Sequence, residues 1–232
     1  SSAPAPAPTR RVGDDGDVVT SELGTKSHWD AVYVQEIKNF DETGDEGEVW
    51  FGYPVLRKMV EWAEEDGAVS KEARILEVGC GNGTLLCAFA EEGFSNLVGT
   101  DYSAAAVELA RKVAEKDGLK AAFHVRDLLD PEAHVDLGKF DLVLDKGTYD
   151  AITLAPKDEV GTDDPGAAYL ESVTRVLADD GRLLITSCNF TEEELSKHFE
   201  ASLRPVGRVE YARYRFGGHE GSTVSTVVFA KR

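Results

Sequence analysis

The run Arg74-Ile75-Leu76-Glu77-Val78-Gly79-Cys80-Gly81-Asn82-Gly83 limits what this chain can fold into more than any other stretch. A largely apolar strand over Ile75–Val78 enters a turn with glycine at every second position, and the residues from Thr84 to Glu92 continue as a helix. Without a Cβ the glycines let the backbone bend tightly and approach a ligand closely. The unpaired amides of the helix's first turn then point at whatever occupies the turn. A dinucleotide turn of the G-x-G-x-x-G type needs its third glycine at position 84, where this chain has Thr84, because the third glycine is Gly83. The same turn also serves as a plain strand-to-helix bend, so its meaning depends on the rest of the chain.

The rest is regular. Strands over Leu97–Thr100, Ala121–Val125, Phe140–Leu144 and Arg182–Ser187 alternate with helices over Ala104–Glu115, Ala167–Leu177 and Glu192–Phe199, with a long loop after Leu144. Such alternation predicts a doubly wound α/β fold, a mostly parallel sheet with helices on both faces. Val206–Phe216 and Thr223–Ala230, joined by Gly217–Gly221, read as a hairpin that places the last strand antiparallel. Upstream, Trp29, Val32, Tyr33, Ile37 and Phe40 recur at helical spacing, and Pro54–Glu65 reads as a second helix with Val55, Met59, Trp62 and Ala63 inward. The expected division is a disordered tail over 1–20, a helical cap over 21–70 and the main domain over 71–232. The tail combines an Ala-Pro repeat with Asp14, Asp15 and Asp17 and lacks the apolar core of a signal peptide. A first residue other than Met gives the expectation of a trimmed or engineered start.

A chain of 232 residues buries about 70–75 % of its unfolded surface, enough for one sizeable core. No apolar run approaches the ~18 residues of a membrane span, so no membrane is expected. A formal charge of −18 argues against nucleic acid, whose affinity comes from Lys and Arg neutralising phosphates. It suits a basic protein partner, or simply solubility. Cys80, Cys87 and Cys188 show no C-x-x-C spacing and the histidines no ligand pair, so reduced thiols, no metal, and a cytoplasmic or nuclear location are expected.

In doubly wound sheets ligands sit beyond the carboxyl ends of the strands, where strand order reverses. The second strand ends in Asp101-Tyr102-Ser103, a carboxylate about twenty residues after the turn that can accept two ribose hydroxyls or cap the next helix. After the third strand, Asp127 can accept an adenine amino group while Leu128 covers the ring. The fourth strand ends in Asp145-Lys146-Gly147-Thr148-Tyr149-Asp150, either the reacting end of a site or a turn with an ion pair.

The E-x-G-x-G-x-G spacing resembles the S-adenosylmethionine turn of class I methyltransferases. The element Asp145–Ala151 sharpens the likeness, together with Glu77–Gly83, Gly99–Ser103, Ser27-His28-Trp29-Asp30-x-x-Tyr33 and Trp50-Phe51-Gly52. These resemble the eukaryotic elongation factor 1A lysine methyltransferases of the methyltransferase-like ten type, over about residues 21 to 232. Tyr149 stands where the family often has Phe, and His28 where it more often has Tyr. The resemblance implies a seven-stranded class I sheet and a cofactor, S-adenosyl-L-methionine, bound by Glu77, Gly79, Cys80, Gly81, Asn82, Asp101, Tyr102, Asp127, Leu128 and Asp145. Trp29 and Tyr33 would close over its methionine end. Asp145, Lys146 and Tyr149 are the implied catalytic residues, with Asp145 and Lys146 lining the acceptor's passage. The substrate would be a lysine of elongation factor 1A and the enzyme a monomer. The acidic run Asp41–Glu48 either attracts a basic substrate surface or is merely solvated.

A sulfonium methyl needs little activation, so catalysis is expected from aligning the amine for in-line attack. Deprotonating a lysine of pKa about 10.4 near pH 7 costs on the order of 4–5 kcal/mol. Asp145 is expected to orient the amine or pass its proton to water. Other readings of the same residues are a small-molecule methyltransferase, a cofactor-binding module without turnover and, more distantly, an NAD-dependent oxidoreductase.

Overall fold

The computed structural model describes residues 21–156, 161–211, 214–216, 219–221 and 224–232. The tail expected to be disordered and the glycines at 217 and 218 lie outside them. Two helices come first. Helix α1 (Lys26–Thr43) is capped by Thr25, whose hydroxyl accepts from His28 N, and ends at Gly44 with φ 76°. Helix α2 (Gly52–Glu64) buries Val55, Leu56, Met59, Val60, Trp62 and Ala63, a stripe at helical spacing. No residue of α1 is fully buried, and Trp29, Tyr33, Ile37 and Phe40 are only partly covered.

Then the alternation begins: β1 (Arg74–Val78), α3 (Thr84–Glu91), β2 (Asn96–Asp101), α4 (Ala104–Lys116), β3 (Ala122–Val125), β4 (Phe140–Lys146), α5 (Thr148–Thr153), α6 (Pro165–Val176), β5 (Leu177–Ser187), α7 (Glu192–Phe199) and β6 (Leu203–Val209). The short strands β7 (Tyr214–Phe216) and β8 (His219–Gly221) pair with each other, and β9 (Ser225–Lys231) closes the chain. The main sheet runs β3-β2-β1-β4-β5-β9-β6, with β9 antiparallel to both neighbours and the other pairs parallel.

The expected antiparallel last strand is present, wedged between β5 and β6. The expected antiparallel pairing of the two last long strands is present as β6 with β9, but the strand expected over Val206–Phe216 divides, β6 ending at Val209 and Tyr214–Phe216 pairing locally with His219–Gly221. Part of the loop expected after Leu144 is helix α5, whose six residues are too few to show a helical period in sequence. The helix expected to reach Leu177 ends at Val176, and Leu177 already pairs with Phe140 ahead of an irregular segment that rejoins the ladder at Arg182.

Side chains alternate across the sheet. Ile75, Leu142 and Leu144 face α2, α3 and α4. Leu76, Val78, Val143 and Ile185 face a second layer of Tyr149, Tyr169, Leu170, Val173, Leu195 and Phe199 from α5, α6 and α7. Strand order reverses beside β1, between the path to β2 and the later β4, so the crevice belongs above the ends of β1 and β4. This parity decides where Asp145 and Lys146, neighbours in sequence, send their side chains.

Candidate functional site

The glycine turn holds Gly79, Gly81 and Gly83 at φ of 60°, 53° and 76°, a region that L side chains rarely adopt. Close neighbours use the space. A Cβ on Gly81 would lie 2.5 Å from the Tyr33 hydroxyl, and one on Gly79 would collide with Thr148. The turn is therefore packed by α1 on one side and by the start of α5 on the other.

A cavity opens above it, lined by Trp29, Tyr33, Trp50, Asp101, Lys146 and Thr148, and continues past Tyr102, Asp127 and Leu128 to Ile152 and Ala155. Asp101 is buried at the end of β2, where its carboxylate accepts from Gly81 N at 3.0 Å and Ser103 N at 2.9 Å. It does not cap α4, because Ser103 does, accepting from Ala106 N. Two amides leave the carboxylate lone pairs free for further donors. Burial pushes its pKa up to about 6, against the pull of those two hydrogen bonds.

Asp127 accepts from Leu129 N at 2.9 Å, which fixes its carboxylate at the cavity wall beside Leu128. Tyr33 stacks on Trp29, with ring centres 6.0 Å apart, and Trp29 donates its indole N–H to Leu23 O at 2.7 Å. Tyr102 lies beneath Lys26, whose ammonium is 5.5 Å from the ring centre. Cys80 contributes mainly backbone, its amide donating to Thr100 O at 2.9 Å, while burial holds its thiol well above the ordinary range. Asn82 lines the cavity yet gives its amide to the carbonyls of Glu46 and Glu48, stapling that loop to the turn.

Glu77 is 1 % exposed and its Oε2 has no hydrogen-bond partner. Burial raises its pKa, opposed by the positive charge of Lys146, and burial lowers that of Lys146. A buried, unpartnered carboxylate oxygen is costly unless something cationic completes it. Glu77, expected among the cofactor contacts, does not line the cavity, whereas Asp101 for a ribose and the Asp127–Leu128 wall for an adenine do, and these fit an adenosine-bearing cofactor such as S-adenosylmethionine.

The expected catalytic residues separate. Lys146 lines the cavity. Asp145 projects to the opposite face of the sheet, where it is 0 % exposed and does not line the passage expected for the acceptor or touch the cofactor cavity. Its carboxylate accepts from Thr148 N at 2.8 Å, Tyr149 N at 3.0 Å and the Tyr169 hydroxyl at 2.7 Å, which ties α5 to the strand end and to α6. Tyr149 is also buried, against Tyr169, Phe190 and Phe199, with its hydroxyl 2.8 Å from His198 Nδ1. For Asp145 the cause is strand parity, since on β4 positions 144 and 146 face the cavity layer and 143 and 145 the other, whereas Tyr149 is carried into the second core by α5. Asp150 is likewise structural, accepting from Ser187 Oγ and Cys188 N.

The acidic run is not one solvated loop. Asp41–Thr43 form the last turn of α1, and Asp41 and Glu46 pair with Lys112 and Lys116 of α4 at 2.5 and 2.7 Å. Sequence reasoning gave no cavity role to Thr148, Ile152, Ala155 or Trp50. Thr148 and Ile152 come from α5 and Ala155 from the turn just after it, a segment whose only local signal was the glycine at 147.

The chain matches a family model described as methyltransferase domain over residues 69–219. It is 39 % identical over 230 residues to EEF1A lysine methyltransferase 2 of Mus musculus, covering 99 % of this chain and 91 % of that one. Protein-lysine N-methyltransferase EFM4 of Saccharomyces cerevisiae is 38 % identical, covering 93 % and 97 %. Among solved structures, an S-adenosylmethionine-dependent methyltransferase from Clostridium acetobutylicum superimposes with a TM-score of 0.60 at 13 % identity, covering 85 % and 98 %, a likeness of fold. With a family model spanning most of its sheet and relatives matched almost end to end, the chain belongs to the methyltransferase-domain family, in the group that includes EEF1A lysine methyltransferase 2 and EFM4.

Proposed function

We propose that this protein is an S-adenosylmethionine-dependent protein-lysine N-methyltransferase whose substrate is translation elongation factor 1A. The observation that carries the reading is the near full-length likeness to EEF1A lysine methyltransferase 2 and EFM4, in a chain whose cavity has the acids and rings such a cofactor needs. Bound there, the cofactor would supply an electrophilic methyl group. Asp101 would take the ribose hydroxyls, and Asp127 and Leu128 the adenine. Trp29, Tyr33 and Trp50 exclude water above the turn. Lys146 stands at the methyl end, where burial weakens its charge and so its repulsion of an approaching amine. Asp145 serves by fixing α5. The protein would work as a monomer in the cytoplasm, and also in the nucleus, on a basic surface of its substrate.

The test is mass spectrometry of purified elongation factor 1A after incubation with this protein and labelled S-adenosylmethionine. Methylation of one lysine, absent with a Asp101→Ala variant, supports the reading. Label appearing only in small molecules, or cofactor binding with no labelled product, refutes it.

A further inference from the structure

Phe51 is one of two non-glycine residues with positive φ among the described residues, at φ 64° and ψ −2°. Such strain survives only where surrounding contacts over-determine it, and it clusters at functional sites. Here the contact is with Gly147 at the end of β4. A Cβ on Gly147 would lie 3.1 Å from the edge of the Phe51 ring and 4.0 Å from the Trp50 ring. The two rings meet edge to face with centres 6.1 Å apart, and Trp50 meets Trp29 in the same way at 5.1 Å. Trp50 lines the cofactor cavity and Phe51 sits just outside it, so a run of rings leads from the cavity towards the surface. Two residues on, Tyr53 is 57 % exposed. Its phenol is pushed up, first by partial burial and then by the carboxylates of Glu46, Asp45 and Glu91, so the surface around it carries a negative field.

Resting on the reading that a lysine amine is methylated here, we propose that Trp50 and Phe51 are the acceptor site, a ring-walled passage over Gly147 that receives the alkylammonium arm of the substrate lysine. Ring faces attract an ammonium through their quadrupole and their apolar surface holds the methylene stem. The attraction is weaker than a buried ion pair, so it holds the amine less firmly in the charged form that cannot attack a methyl group. The conformation at Phe51 then has a use: it turns the ring onto Gly147 at the entrance to α2. Gly147 is glycine at φ 90°, and a side chain there would fill the floor of the passage.

Two measurements decide it. The first titrates the cofactor-saturated protein with N-acetyl-trimethyllysine amide and with N-acetyl-norleucine amide, which has a similar stem and no charge, following tryptophan fluorescence. The cation should bind on the order of tenfold more tightly. Equal binding of the two overturns the proposal. The second compares Phe51→Leu and Phe51→Tyr. Phe51→Leu should raise KM for elongation factor 1A about tenfold with cofactor affinity unchanged, while Phe51→Tyr, which keeps the ring, should stay within about twofold of the parent. An unchanged KM in folded Phe51→Leu overturns it. If Phe51→Leu does not fold, the titration and Phe51→Tyr still decide. Failure to methylate elongation factor 1A at all strikes the functional reading instead, and the fluorescence titration separates the two.

Discussion

Replacing Tyr169 by Phe tests whether Asp145 is a structural anchor or, as expected from sequence, an orienter or proton relay for the amine. The Tyr169 hydroxyl donates to Asp145 Oδ2 at 2.7 Å in a fully buried setting, beside the amides of Thr148 and Tyr149. Burial raises the Asp145 pKa to about 7, the nearby Asp150 adds to the rise, and the three donors oppose it. The folded chain therefore holds a proton that the unfolded chain releases near pH 4, and this group's contribution to stability falls as pH rises from about 4 to about 7. Removing the hydroxyl raises the folded pKa further, so the variant goes on losing stability at pH values where the parent has levelled off.

Above pH 8 the lost bond is one to a charged group, about 1.5–3 kcal/mol, and near pH 5.5 it is one to a neutral carboxyl, about 0.5–1.5 kcal/mol. For a chain of this size each kcal/mol is about 2–4 °C of Tm. Tyr169→Phe should therefore lower Tm by roughly 3–12 °C at pH 8.5 and by about half that or less at pH 5.5. Thermal unfolding followed by circular dichroism at the two pH values measures this directly. A shift below about 1 °C, or an equal shift at both values, would refute the anchoring role of the pair.

Asp145→Ala strands two amides and a buried phenol, and should cost about 3–6 kcal/mol in urea titration; a folded variant of unchanged stability that had lost only kcat would restore Asp145 as an orienter or proton relay. Gly81→Ala adds a Cβ 2.5 Å from the Tyr33 hydroxyl at φ 53°, and calorimetry should find cofactor affinity at least about tenfold weaker. Cofactor affinity of the parent should rise between pH 5 and 7 as Asp101, with its pKa near 6, becomes a carboxylate, and in Asp101→Asn it should be weaker and nearly independent of pH over that range. Burial pushes Cys87 up to about 12 and raises Cys80 and Cys188 as well, so alkylation at pH 8 should be at least about tenfold slower than in urea, where free thiols titrate near 8.5.

The sequence by itself determined the elements whose causes are local. Alternate glycines and an apolar run specify β1, the turn and α3, and the capping box of Thr191 and Glu194 sets α7 at Glu192–Phe199 as expected. It also placed acids at the ends of β2 and β3, since strand ends can be read from where apolar runs stop. Tertiary structure decided what depends on distant partners. Helix α5 forms because a buried carboxylate three residues before it takes its first amides and a hydroxyl 24 residues downstream, a contact no local pattern carries. The insertion of β9 between β5 and β6 is a long-range pairing of the same kind. Most of all, Asp145 and Lys146 look alike in sequence, as adjacent polar residues at a strand end. The two-residue period of a strand sends Lys146 into the cavity and Asp145 into the opposite core, and which of the two faced the ligand was settled only when helices had packed on both sides of the sheet.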